Sequence, residues 1–233
     1  MEDDFLTDDQ QAAQVKGWLR QNGPFLIAGV VLGLGGLFGW NQWQRYQEQR
    51  AEAASVLYDQ LLQSVRGQQV DAAAGQLRQL ESEFASSAYV DQGRLSMAGL
   101  YVLRSKPDEA IAQLQLVVDK GDADEIRHIA RLRLARLLSS GDRHEDALKV
   151  LDVSGTGAFT PLFHDVRGDV YYAMGKLPEA RSEYEQALNG ESAATVLDMA
   201  YVTAKLDELG GSAADLAAAG GLPAAAADGV PAK

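Results

Sequence analysis

The chain has no cysteine among its 233 residues. That excludes disulfides, thiolate metal sites and a cysteine nucleophile, and it fits either side of a membrane. Histidine is nearly as scarce: His128, His144 and His164 have no second histidine at i+3 or i+4. His144-Glu145-Asp146-Ala147-Leu148 starts like a zincin helix but lacks the second ligand, so no metal site is expected. His128 and His164 open two predicted helices and are expected on the surface. There is no G-x-S-x-G elbow and no phosphate loop, and no paired-carboxylate pocket can be placed. Basic residues are in deficit, 21 Lys and Arg against 33 Asp and Glu, for a net charge of −12. Such a surface repels nucleic acid and anionic headgroups. Carboxylate runs such as Asp122-Ala-Asp-Glu125 fall at predicted turns and helix starts, where they complement the helix dipole. The chain is therefore expected to be no enzyme, with no cofactor, no nucleic-acid partner and no small-molecule substrate.

One absence is local. Between Arg20 and Arg45 there is no charge at all, and the centre of that gap reads Pro24-FLIAGVVLGLGGLFG-Trp40. About 20 apolar residues at roughly 1.5 Å each cross a hydrocarbon core of about 30 Å. A buried core helix usually needs only about 10–14. A cleaved signal peptide has a short basic start and a small-x-small cleavage site. Here Glu2, Asp3, Asp4, Asp8 and Asp9 precede the run, and Asn41-Gln-Trp-Gln-Arg45 follows it. The expectation is an uncleaved transmembrane helix over 24–43, bound to membrane lipid, after an N-terminal segment 1–23 with a short amphipathic helix. Trp18 on one side and Trp40 and Trp43 on the other mark the interfaces. Lys16 and Arg20 balance Arg45 and Arg50, so the positive-inside rule leaves the orientation open. Gly29-x-x-x-Gly33 and Gly35-x-x-x-Gly39 let another membrane helix approach closely, although glycine is also simply commoner in such helices. Gly33-Leu-Gly35 is no dinucleotide fingerprint: Phe38 takes the third glycine position and no strand precedes it.

Proline and glycine are also sparse between the span and the tail, where Ala, Leu, Gln, Glu and Arg dominate and no alternating strand pattern appears. About 165 residues there suffice for one sizeable core. The fold class expected is all-α, a tetratricopeptide-repeat-like α-solenoid over 44–209. In Val166–Leu188, the residues Gly168, Tyr171, Gly175, Ala180, Tyr184 and Ala187 fall at the spacings of this repeat. Gly168 and Ala180 are expected to face each other where the helices cross, with Tyr171 and Tyr184 beside them. Gly175 closes the first helix, Pro178 lies in the first turn of the second, and Ala187 packs on the next unit. Weaker copies place Ala135, Leu138, Ala147 and Leu151 around a Gly141-Asp142 turn, and Ala98, Tyr101, Ala110 and Leu114 around Ser105-Lys-Pro107-Asp. Ala110, Ala147 and Ala180 are 37 and 33 residues apart. A fourth, degenerate hairpin is expected over 43–66 and 70–85, its first helix running on from the span. Ala193–Leu209 reads as one capping helix, giving about four hairpins plus a cap. The Ala/Gly/Pro-rich stretch 210–233 has too little bulk to bury and reads as disordered, or as a short helix over 212–219.

Such an array offers a groove for a polypeptide, lined by the first helix of each pair. By register the groove residues are Gln92, Leu95, Leu132, Arg136, Asp165, Asp169 and Tyr172, unless several of these merely cover the surface. Some arrays grip a C-terminal carboxylate with groove lysines. Asp165 and Asp169 stand at the comparable positions, which argues against that mode in the best repeat.

Taken together, the acidic start, Lys16-x-x-Leu-x-x-x-Gly23, the span ending Gly39-Trp40-x-x-Trp43, then Leu57 and Leu61 and degenerate tetratricopeptide hairpins resemble the YfgM-type family of ancillary SecYEG translocon subunits. The resemblance covers about residues 5–209 and is most specific around the span and its exit. It implies a bacterial inner-membrane protein with its N-terminus in the cytoplasm and its repeats in the periplasm. It also implies association with the SecYEG translocon and a membrane-anchored periplasmic chaperone of the PpiD type, and help in passing on secretory polypeptides. A role restraining a stress-response regulator, as a membrane tether, is the alternative that the resemblance carries. It supplies no catalytic residue.

Overall fold

The computed structural model describes residues 8–210 of the chain. The expected tail from 211 onward, and the acidic residues of the first seven positions, lie outside the described residues. The chain divides into two compact units, one ending at Ser55 and the other beginning at Val56. Helix α1 (Asp8–Arg66) is 59 residues long and covers the stretches expected as the lead-in helix, the span and the first repeat helix. It runs through Pro24, which has no N–H for the carbonyl of Arg20, so the expected 23/24 boundary coincides with no helix end.

Among the described residues, α1 is the one helix long and apolar enough to cross a membrane, and none of its apolar window is buried in the protein. Phe25 is 77% exposed and Leu32 76%. Leaving such side chains in water forfeits roughly 1.5–3 kcal/mol each, so the helix calls for an apolar surrounding that the described residues do not supply. This fits a single-pass membrane protein.

The second unit is built of helical hairpins. The end of α1 pairs with α2 (Val70–Glu83), α3 (Ala88–Leu103) with α4 (Pro107–Lys120), α5 (Asp124–Ser140) with α6 (His144–Leu151), and α7 (Thr160–Ala173) with α8 (Leu177–Asn189). Short α9 (Ala193–Val196) and α10 (Met199–Glu208) follow, and no strand occurs among the described residues.

All four hairpin turns share one backbone device. The residue in the left-handed region is Gln68 (φ 54°), Ser105 (54°), Asp142 (58°) and Gly175 (73°) in turn. The next residue's N–H reaches back to the first helix: Gln69 to Ser64, Lys106 to Tyr101, Arg143 to Leu138 and Lys176 to Tyr171, at 2.8–2.9 Å. The left-handed residue itself donates to Val65, Val102, Ser139 and Tyr172. These are Schellman ends, which satisfy carbonyls that the helix leaves orphaned. Only the last uses glycine, which explains why the last repeat stands out in the sequence and the others do not.

Small residues set the helix separations. Ala98, Ala110, Ala135, Ala147, Ala180 and Ala187 are all buried, most of them completely. At Gly168 the three atoms nearest to where its Cβ would stand belong to the ring of Tyr184. Tyr171 is half-buried against the cluster formed by Ala180, Tyr184, Ala187, Leu188, Val202 and Leu206. Gly93 of α3 fits against Leu61 and Leu77 of the first hairpin.

Two further expectations are corrected. The cap is not one helix over 193–209, because Leu197 is extended (φ −105°, ψ 149°) and Asp198 restarts the chain by accepting the Tyr201 N–H at 3.1 Å. That is ordinary N-cap chemistry for aspartate. His128 is not on the surface either. It is buried between Phe159 and Phe163, each with its ring centroid 5.5 Å away. The 3₁₀ turn Gly157–Phe159 ahead of α7 brings Phe159 to it, a contact set by the connection and invisible in the α5 pattern. His164 is largely buried too, its Nδ1 2.7 Å from Glu183.

Candidate functional site

The first helices α3, α5 and α7 carry matching columns, because the offsets of 37 and 33 residues recur. One column is Leu95, Leu132 and Asp165; a second is Gly99, Arg136 and Asp169. Between α3 and α5 lies a cleft of about 450 Å³, lined by residues that include Leu95, Ala98, Gly99, Val102, Arg133, Arg136 and Leu137. Its opening is apolar, with Val102 49% and Leu103 69% exposed. A Cβ added at Gly99 would meet nothing within 4 Å, so the glycine leaves the cleft open and not packed. Between α5 and α7 a smaller cleft of about 270 Å³ shares Arg136 and Ser140 with the first. The two form successive steps along one face.

At the α7 end, charge is held inside the protein. Lys205 of α10 places its Nζ 2.8 Å from Asp165 Oδ1 and 2.6 Å from Asp169 Oδ1. Tyr184 of α8 donates its hydroxyl to Asp169 at 2.9 Å, and Arg136 reaches Asp165 more loosely, at 3.5 Å. The Lys205 ammonium also lies over the rings of Tyr201 and Tyr184, 4.7 and 5.4 Å from their centroids. Burial raises the Asp165 carboxyl above the usual carboxylate range, with Asp169 adding to it and Lys205 and Arg136 opposing. For Lys205, burial works downward, but hydrogen bonds to both carboxylates outweigh it and hold the ammonium above its ordinary value. Burial, with Asp169 beside it, pushes the Tyr184 hydroxyl upward, so it remains a donor.

The groove residues expected from the register thus divide. Leu95 is buried and floors the first cleft, while Leu132 is buried in the core cluster. Arg136 lines both clefts. Asp165 and Asp169 are brought together by Lys205. Gln92 is half-buried and Tyr172 is exposed. Sequence reasoning missed Gly99, Val102, Leu103, Arg133 and Lys205. For the first three a signal existed, an apolar run at the end of α3 beside a glycine with no turn to make. For Lys205 none did, since its partners lie 36 and 40 residues away. Among the described residues, nothing beyond the helix's own backbone lies within 4 Å of a Cβ added at Gly29, Gly33, Gly35 or Gly39 of α1. Among the described residues, no group of three or more His, Asp or Glu side chains is placed to hold a metal ion.

Paired helices with recurring small residues at their crossings, and a face of first helices left open, define a tetratricopeptide-type interaction domain. The chain belongs to the tetratricopeptide repeat-like domain family, which it matches over residues 16–211. Its relatives include three proteins named ancillary SecYEG translocon subunit. That of Haemophilus influenzae is 26% identical over 204 residues, covering 88% of this chain and 98% of its own. The Escherichia coli relative is 27% identical over 198 residues, 84% and 94% of the two chains. The Neisseria gonorrhoeae relative is 28% identical over 184 residues, 78% and 88%. No solved structure matches the chain.

Proposed function

We propose that this protein is a single-pass inner-membrane subunit that associates with the SecYEG translocon and binds polypeptides without catalysing a reaction. The segment 1–23 lies in the cytoplasm, 24–43 spans the membrane, and the repeats over 44–209 work in the periplasm beside a chaperone of the PpiD type. There they help to hand on secreted chains. The observation that carries this reading is the extent of the family match, which takes in the apolar helix and the repeats together, in a chain whose relatives are named translocon subunits. The glycines of the span, with no other described element of the chain packed on them, suit docking against other membrane helices. The face of first helices suits a polypeptide.

The test is in-cell photo-crosslinking from position 102, at the mouth of the larger cleft, and from position 33 in the span. Adducts from 33 to translocon subunits, and from 102 to the chaperone or to exported chains, are expected. Adducts only to a cytoplasmic regulator would replace the reading with the tether. Exchanging 24–43 for an unrelated span separates the two again, since a translocon subunit loses its association and a tether tolerates any anchor.

A further inference from the structure

We propose that the cleft between α3 and α5 recognises a partner segment in which large apolar side chains are flanked by carboxylates. The inference rests on reading this face as a polypeptide site and names the chemistry of what it takes. The floor and mouth supply the apolar half: Leu95, Gly99, Val102 and Leu137 border a space of about 450 Å³, within the range of about 300–1,000 Å³ typical of clefts that bind small ligands. The charge lies on the α5 wall. Arg133 and Arg136 line the cleft and, among the described residues, no Asp or Glu does, in a chain whose net charge is −12. This is a local reversal of sign, and it selects an anionic occupant.

Both arginines are available. Arg133 is exposed and has no ion pair or hydrogen bond among the described residues. Arg136 has a half-exposed side chain, and its one pairing, 3.5 Å long, is to an Asp165 that Lys205 already holds at 2.8 Å. Swinging Arg136 toward a ligand therefore leaves no buried charge uncompensated. Guanidinium groups pair with carboxylates in a planar, two-point geometry, so acidic residues beside the apolar anchor would fix its register. The neighbouring steps do not offer this combination, because Asp165 and Asp169 already have their cation.

The experiment uses the full chain in phosphatidylcholine nanodiscs and fluorescence anisotropy. The probes are a labelled peptide with a Leu-Phe pair between two Glu pairs, its counterpart with Lys for Glu, and one with Ser for Leu and Phe. The expected result is at least about tenfold tighter binding of the Glu peptide than of the other two. Arg133→Glu with Arg136→Glu should reverse the preference toward the Lys peptide, and Gly99→Leu, which fills the cleft, should abolish binding of both charged probes. Unchanged thermal unfolding of the variants separates these outcomes from misfolding. Equal binding of the Glu and Lys peptides, both lost in Gly99→Leu, would overturn the charge selection and leave the polypeptide groove standing. So would absence of peptide binding while position 102 still crosslinks to exported chains. Absence of both would remove the groove reading as well.

Discussion

At the α3–α5 step the two groove columns carry Leu95 and Gly99, then Leu132 and Arg136, and the cation stays half in water above an open apolar cleft. At the α7–α10 step the same columns carry Asp165 and Asp169, and a lysine from the last helix closes over both. One register thus serves two ends. It leaves an apolar cleft open at one end, and it makes a structural lock at the other, where the last helix brings a counter-ion. What differs is both the side chain in the column and the one that a later helix delivers to it, so a column position is defined by its surroundings as much as by its place in the repeat.

The sharpest way to break the comparison is at the lock. Lys205→Met leaves Asp165 buried without its closest cation and should cost about 3 kcal/mol, read as a fall in the urea midpoint and faster amide exchange along α10. Restoring most of the loss by adding Asp165→Leu would show that the penalty is uncompensated charge and not lost packing. The lock should also respond to alkali. Lys205 is held above its ordinary range, so its contribution is complete below that range and disappears as pH rises through the raised value. Asp165 acts in the same sense at the acid end. Its raised carboxyl subtracts stability as pH climbs from its ordinary value through the folded one. A pH-insensitive α10 across the alkaline range would show that Lys205 does not carry the docking.

The next effect uses two glycines on first helices. Gly168→Ala drives a methyl into the Tyr184 ring and should cost about 2 kcal/mol in chemical denaturation. Gly99→Ala meets open space and should gain up to about 1 kcal/mol from helix propensity. Similar losses at both sites would mean that the α3–α5 cleft is closed in solution. Smallest are the turns. Asp142→Gly and Ser105→Gly should each stabilise by roughly 0.5–1 kcal/mol, because an L side chain in the left-handed region is strained, whereas Gly175→Ala should destabilise by about as much. Thermal unfolding of the three variants checks the opposite signs.

Much of this molecule was legible in the order of residues. The uncharged run from Pro24 to Trp40 announced a lipid-facing helix, since no pattern of polar residues interrupts it. The spacing of Ala110, Ala147 and Ala180 announced the stacking, since only small side chains allow the helices to cross so closely. Contacts between distant elements were not legible. His128 sits on α5 with charged neighbours, and Phe159 of the connection ahead of α7 together with Phe163 of α7 encloses it in aromatic rings. The cap was expected as one helix because its apolar residues keep helical spacing, and Asp198 breaks it by a local bond that propensity does not weigh.

By itself, then, the sequence determined the helical class, the repeat and the membrane-length apolar stretch, all consequences of short-range periodicity and of apolar surface that must leave water. Only the tertiary structure decided which charges remain free. Whether Asp165 and Asp169 are surface or lock depends on a side chain 36 to 40 residues further on, and desolvation acts on what is near in space, not in sequence.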